Sequence, residues 1–275
     1  MTDQGARYDR IAEGYRRWWA PVIRGEAVRT LELVDDAVEA GAHRLLDIGT
    51  GTGTLGLAAV ERWPGVSVIG IDLSPEMAAA AEREADRRLS PGQRHRFATR
   101  VAPADRLPFP DATFDVAISS FVLQLVPSRA AALRETRRVL RPGGRLAYVS
   151  WLTGEAPYPP DMAFDAVLAE LGLEPRRDPG HALDIASPGA AAAGLRRAGF
   201  RQTATWGGML EHRWDAATYL GFLTEFDEED RFAEMTPGTR RDLTEQLRSR
   251  LAAMSADDLI LRLPIVRAVG TVPTA

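Results

Sequence analysis

The run Asp47-Ile48-Gly49-Thr50-Gly51-Thr52-Gly53 gathers residue types that let a backbone close around a ligand: three glycines alternating with threonines, and a carboxylate just before them. Without a Cβ, such a loop brings its main-chain N–H groups up to a bound molecule. Gly51 to Gly56 also satisfies G-x-G-x-x-G, and Asp72 follows Gly51 by about 20 residues, where a dinucleotide fold keeps its ribose-binding carboxylate. Asp47 favours a different ligand. A pyrophosphate beside it would meet a carboxylate of its own sign, whereas a cationic amino group would be attracted. An NAD-dependent oxidoreductase is therefore the alternative reading rather than the first.

Other chemistries lack their residues. All 34 basic residues are arginine, so no lysine is present to form a Schiff base or bind phosphate as in a P-loop, and the absence of cysteine removes thiol nucleophiles, thiolate metal sites and disulfides. No His, Asp or Glu cluster has metal-ligand spacing and no Ser sits in a G-x-S-x-G turn, so neither a metal nor hydrolysis is expected. His43 and His95 flank strand-like runs, while His181 and His212 fall in variable regions that could face a substrate. The net charge of −4 disfavours a phosphate-backbone partner, and no nucleic acid is expected. Arg134, Arg137, Arg138 and Arg141 recur at helical spacing with Glu135 among them and read as a solvated helix face. Apolar runs stay short of the roughly 20 residues that span a bilayer, and MTDQGARYDR lacks signal-peptide features, so a cytoplasmic enzyme without a membrane partner is expected.

The elements that must position the glycine loop are legible from short apolar runs alternating with helical segments. Arg44–Ile48, Ser67–Asp72, His95–Val101, Asp115–Ser120 and Arg145–Trp151 read as buried strands. Thr54–Arg62, Ser74–Leu89 and Ser128–Leu140 read as the helices between them, the last stopped by Arg141-Pro142-Gly143-Gly144. A sixth strand is expected near Phe200–Trp206 and a last one over Leu259–Val272, with Pro264 at a bulge or edge and the two paired antiparallel. This predicts an α/β, Rossmann-like, doubly wound and mostly parallel seven-stranded sheet with a final antiparallel strand and a helical cap. The expected division is a helical cap over 1–40 broken at Trp18, Trp19 and Pro21, a core over 41–210, a helical insertion over 211–258 and the last strand over 259–275.

Four motifs occur in order: LLDIGTGTG at Leu45–Gly53, VIGIDLSPEM at Val68–Met77, RLPFPDATFDVAISSFVLQLVP at Arg106–Pro127 and RVLRPGGRLAYVSW at Arg138–Trp151. Together they resemble the class I S-adenosylmethionine-dependent methyltransferases, in particular the small-molecule type 11 group related to the ubiquinone-biosynthesis methyltransferases. The resemblance covers Tyr8 to Trp151. It implies that S-adenosylmethionine is the cofactor, that Asp47 bonds its ammonium, and that Gly49, Thr50, Gly51 and Gly53 line its methionine and ribose parts. It further implies that Asp72 takes the ribose hydroxyls, that Leu73 and Met77 pack on the adenine, and that Ser119, Ser120 and Phe121 end a strand beside the transferring methyl. Where the family has an Asp for the adenine amino group this chain has Pro103, which leaves Ala104 and Asp105 as substitutes. Gln124 stands where relatives often have His, or else caps the following helix, and no catalytic base is assigned. Tyr15, in Ala12-Glu13-Gly14-Tyr15, resembles the family's N-terminal segment that folds over the cofactor.

The resemblance implies a small-molecule acceptor methylated on O, N or C, and a protein that binds the cofactor without methylating is a second alternative. Aromatic residues concentrate outside the glycine-loop half, among them Tyr8, Trp18, Trp19, Trp151, Trp206, Trp214, Phe222 and Phe226. They suit an aromatic lid or the packing of added helices, with packing favoured for most. Residues 8–25 and 211–258 are expected to form a mobile cover; a permanently docked cap or a dimer contact is the other reading, which leaves a homodimer open.

Overall fold

Short runs of β-branched and leucine residues bounded by glycine turns form, among the described residues, seven strands: β1 Arg44–Ile48, β2 Ser67–Asp72, β3 Phe97–Val101, β4 Phe114–Ser120, β5 Leu140–Trp151, β6 Arg201–Arg213 and β7 Ile260–Thr271. In the computed structural model, which describes residues 11–154, 157–174 and 184–274, they make one sheet in the order β3-β2-β1-β4-β5-β7-β6. β7 runs antiparallel to both neighbours, and the other pairs are parallel. Strand order reverses between β1 and β4, which opens a crevice at their carboxyl ends. Tyr8 and His181 lie outside the described residues.

Helices α1 Ala20–Arg29, α2 Asp35–Glu39, α3 Thr54–Arg62, α4 Pro75–Arg88, α5 Pro91–Arg94, α6 Arg129–Val139, α7 Pro159–Glu170 and α8 Pro188–Arg197 flank the sheet. Between β6 and β7 lie α9 Ala216–Phe222, a π-helical turn Leu223–Asp227, α10 Glu229–Glu234 and α11 Pro237–Ala252. Leu45, Leu57, Val60 and Phe97 pack in one apolar layer; Leu46, Phe114, Tyr148 and Phe200 pack in another. A third core joins Trp214, Phe222 and Leu247 of the insertion to Val22, Ile23 and Val149. Among the described residues no helix is long and apolar enough to cross a membrane, and no group of His, Asp or Glu could hold a metal ion.

Four local expectations change. Trp18, Trp19 and Pro21 do not break the N-terminal helix: a π-helical turn spans Tyr15–Trp19, and Pro21 falls in the first turn of α1, where its missing N–H would be unpaired anyway. Arg141-Pro142-Gly143-Gly144 lies inside β5. Leu140 pairs with Phe114, and pairing resumes at Arg145 with Val116 after a register shift, so the turn signal produces a bulge. β6 continues past Trp206 to Arg213 because β7 pairs with it out to Ile260, so the insertion begins at Trp214 rather than Glu211. The arginine run is a solvated face only in part: Arg134 and Arg137 are exposed, whereas the other two are engaged. Arg138 donates to the carbonyls of Phe109 (2.8 Å) and Leu107 (3.0 Å) and to Glu135 and Asp111, clamping the loop before β4, while Arg141 pairs with Asp115.

α1 is fixed to the sheet by an ion pair. Glu26, 8% exposed, pairs with Arg267 of β7, whose Nε has no hydrogen-bond partner among the described residues. Removing one member strands a largely desolvated charge, whereas removing both does not. Glu26→Leu should lower the unfolding free energy by about 3 kcal/mol in urea titrations, and Glu26→Leu with Arg267→Met should recover most of it.

Candidate active site

The crevice is floored by the loop that leaves β1. Asp47, 1% exposed, lies beneath it, and its Oδ2 accepts from Thr50 Oγ1 at 2.8 Å and from the Gly56 N–H in α3 at 2.9 Å. Gly56 has no room for a side chain, since a Cβ would sit 2.8 Å from Phe97 and 2.9 Å from Asp47 Oδ2. Gly49, Gly51 and Gly53 all take positive φ, at 68°, 54° and 87°, which other residues adopt only at a cost. The Thr50 N–H donates to the Ile71 carbonyl at 2.8 Å, and Asp72 Oδ2 accepts from the Gly51 N–H at 2.8 Å. Asp72 Oδ1 accepts from the Ser74 N–H at 3.0 Å, and Ser74 Oγ accepts from the Met77 N–H at 3.0 Å, which caps α4. The carboxylate at the end of β2 thereby sets both the loop and the helix that carries Met77.

The facing wall is aromatic. Phe121, just past β4, has φ +55°, and its ring centroid lies 4.1 Å from that of Trp151 at the end of β5. Gln124 holds this turn, with Nε2 donating to the Phe121 carbonyl at 2.7 Å and Oε1 accepting from Ser150 Oγ at 2.8 Å. It spans two strand ends and does not cap the following helix. The third side comes from Tyr15, Trp19, Ile23 and Ala27, four residues apart along one helical stripe. These three sides bound one cleft.

Of the residues picked out from the sequence, Tyr15, Gly49, Thr50, Gly51, Asp72, Met77 and Ser120 border this cleft. Asp47 does not; it shares the β1 face of Leu45 and is covered by α3. Gly53 is taken up by packing on Leu57 and Ala81, and Ser119 is fully buried with Oγ donating to the Ile48 carbonyl at 2.9 Å. Leu73, Ala104 and Asp105 lie outside the lining; Ala104 and Asp105 form a turn after β3, where Ala104 packs on the core. Trp19, read as packing, and Trp151 border the cleft, as do Ile23 and Ala27, which motif reading missed. The spacing from Tyr15 to Ala27 was the signal for them.

Burial pushes the Asp47 carboxyl up to about 7, with the nearby Asp72 charge adding to the shift against the bonds from Thr50 and Gly56. Its folded-state pKa thus lies above the unfolded one. The resulting stability is complete below about pH 4 and is lost as pH rises through 7. Asp47→Asn keeps an oxygen for both donors but cannot titrate. Urea titrations from pH 4 to 8 should show wild-type stability falling relative to Asp47→Asn by up to about 4 kcal/mol, and parallel curves would contradict a neutral buried carboxyl.

Residues 46–148 match the family model described as a methyltransferase domain. The demethylmenaquinone methyltransferase of Thermus thermophilus is 43% identical over 49% of this chain and 56% of its own length, and the chain likewise spans little more than half of the ubiquinone/menaquinone C-methyltransferase relatives it matches. The nocamycin O-methyltransferase of Saccharothrix syringae is 31% identical over 86% of this chain and 89% of its own. Among solved structures, the [4+2]-cyclase SpnF superimposes with a TM-score of 0.59 at 21% identity, over 99% of this chain and 96% of that one, a likeness of fold. With a relative similar over nearly its whole length and the glycine loop, Asp72 and strand order in place, the chain belongs to the class I, type 11 family of S-adenosylmethionine-dependent methyltransferases.

Proposed function

We propose that this protein transfers the methyl group of S-adenosylmethionine to an O, N or C nucleophile of a small molecule. The observation that carries the reading is the pairing, across one cleft, of a carboxylate-braced glycine loop with an aromatic wall. The residues fit the cofactor. A Cβ on Gly51 would point toward Tyr15, 3.8 Å from its Oη, so the missing side chain leaves a cradle between loop and helix. Ionised Asp72 is an acceptor-only group suited to a ribose diol, and Met77 offers an apolar, polarizable surface to an adenine. Trp19, Phe121 and Trp151 give the cleft an aromatic lining, which would favour a cationic sulfonium.

When bound, S-adenosylmethionine would supply an electrophilic methyl on a cationic sulfur. The chain's own work is positioning and the exclusion of water. Gln124 holds Phe121 against Trp151, and the stripe from Tyr15 to Ala27 closes the cleft from above. Among the described lining residues the ionisable side chains are Asp72 and Tyr15, both beside the glycine loop. Neither is assigned as a base, so the acceptor would arrive already nucleophilic.

Calorimetry should show micromolar or tighter binding of S-adenosylmethionine and S-adenosylhomocysteine and none of NAD. Binding of NAD alone would reverse the assignment. Transfer of labelled methyl to a compound from a metabolite panel would complete it. Asp72→Ala should weaken S-adenosylhomocysteine binding by about 2 to 4 kcal/mol, since it removes charge-assisted bonds to the ribose and loosens Gly51.

A further inference from the structure

Residues Gly14 to Trp19 serve two surfaces at once. Tyr15 and Trp19 border the cleft, while Gly14, Arg17 and Trp18 are seated on the insertion's π-helical turn and the end of α9. Glu225 Oε2 accepts from Trp18 Nε1 at 2.8 Å and from an Arg17 Nη at 2.9 Å. Gly14 approaches the Glu225 carbonyl so closely that a Cβ would lie 2.2 Å from the oxygen, and a Cβ on Gly221 would lie 2.4 Å from the Trp18 ring. Phe222 stacks on Trp19 at 5.6 Å, and Phe226 meets Tyr15 at 6.0 Å. Two π-helical turns face each other here, a distortion often found at functional sites.

We propose that Glu225 is a positioning residue for the cofactor: by holding Trp18 it sets Tyr15 against the glycine loop and Trp19 along the cleft, so that the insertion governs cofactor affinity. This rests on the cofactor assignment above. The Arg17 pair contributes little, because both side chains are about half exposed, 59% and 47%. The indole N–H bond is the effective one. Trp18 is held between Gly221 and Glu225, and turning it would carry its neighbours Arg17 and Trp19 with the same helical turn.

Two variants separate this role from general stability. Glu225→Gln keeps an oxygen for the indole and loses only the ion pair; Glu225→Leu loses both. Gly14→Ala suits the local helix, since Gly14 has φ −60° and ψ −44° and alanine is the better helix former, yet its Cβ forces the segment off Glu225. Calorimetry with S-adenosylhomocysteine should give about two-fold or less change for Glu225→Gln, about five- to tenfold weakening for Glu225→Leu, and at least tenfold for Gly14→Ala. Hydrogen exchange should show the ligand slowing both 15–19 and 223–227 in wild type, with the second effect lost in Glu225→Leu. Wild-type affinity in Glu225→Leu and Gly14→Ala, or protection confined to 15–19, would overturn the positioning role while leaving the cofactor assignment intact. A wild-type chain that binds no S-adenosylhomocysteine would remove both.

Discussion

One buried oxygen, Asp47 Oδ2, joins the end of β1, the glycine loop and the first turns of α3. Taking a carboxylate out of water is costly unless it is bonded, and here the bonds come from a hydroxyl and from a helix N-terminus, where negative charge is favoured. The result is a floor for the cleft whose three left-handed glycines need not be held by the ligand. Asp72 braces the same loop from the side through Gly51. The two carboxylates stand on adjacent parallel strands, and burial together with the Asp72 charge disfavours ionisation of Asp47, which takes up a proton near neutrality.

The division of labour in the cleft follows the division of the chain. Residues 46–148, the span shared with the methyltransferase domain, supply the loop, Asp72, Met77 and Phe121. Trp19 and Trp151 lie outside that span, and the rings behind Trp19, Phe222 and Phe226, come from the insertion. The cofactor half is thus built from short local units, whereas the aromatic half is assembled from segments some 200 residues apart in sequence.

That contrast explains what the sequence disclosed. β1, β2 and α3 begin and end where their apolar runs and turn residues place them, because each is specified within its own few residues. The length of β6 is not local. Its outer half exists because β7 lies beside it. The burial of Asp47 was readable from strand parity, since Leu45 two residues earlier faces the same side, but the neighbouring glycines suggested contact with ligand instead. Trp19 looked like a packing aromatic and is one; the stripe it shares with Tyr15, Ile23 and Ala27 gives it a second surface on the cleft.

β7 is the last strand in sequence yet lies inside the sheet, between β5 and β6. In a chain made from its N-terminus, the strands from β3 to β5 can pair as they emerge, while β6 has no neighbour in the sheet until β7 arrives. Contacts between such distant segments form slowly, and an unpaired strand edge invites association with other chains. The insertion hangs between these two late strands. The outer half of the sheet and the aromatic cover therefore depend on one late strand, whereas the glycine loop depends on none of it.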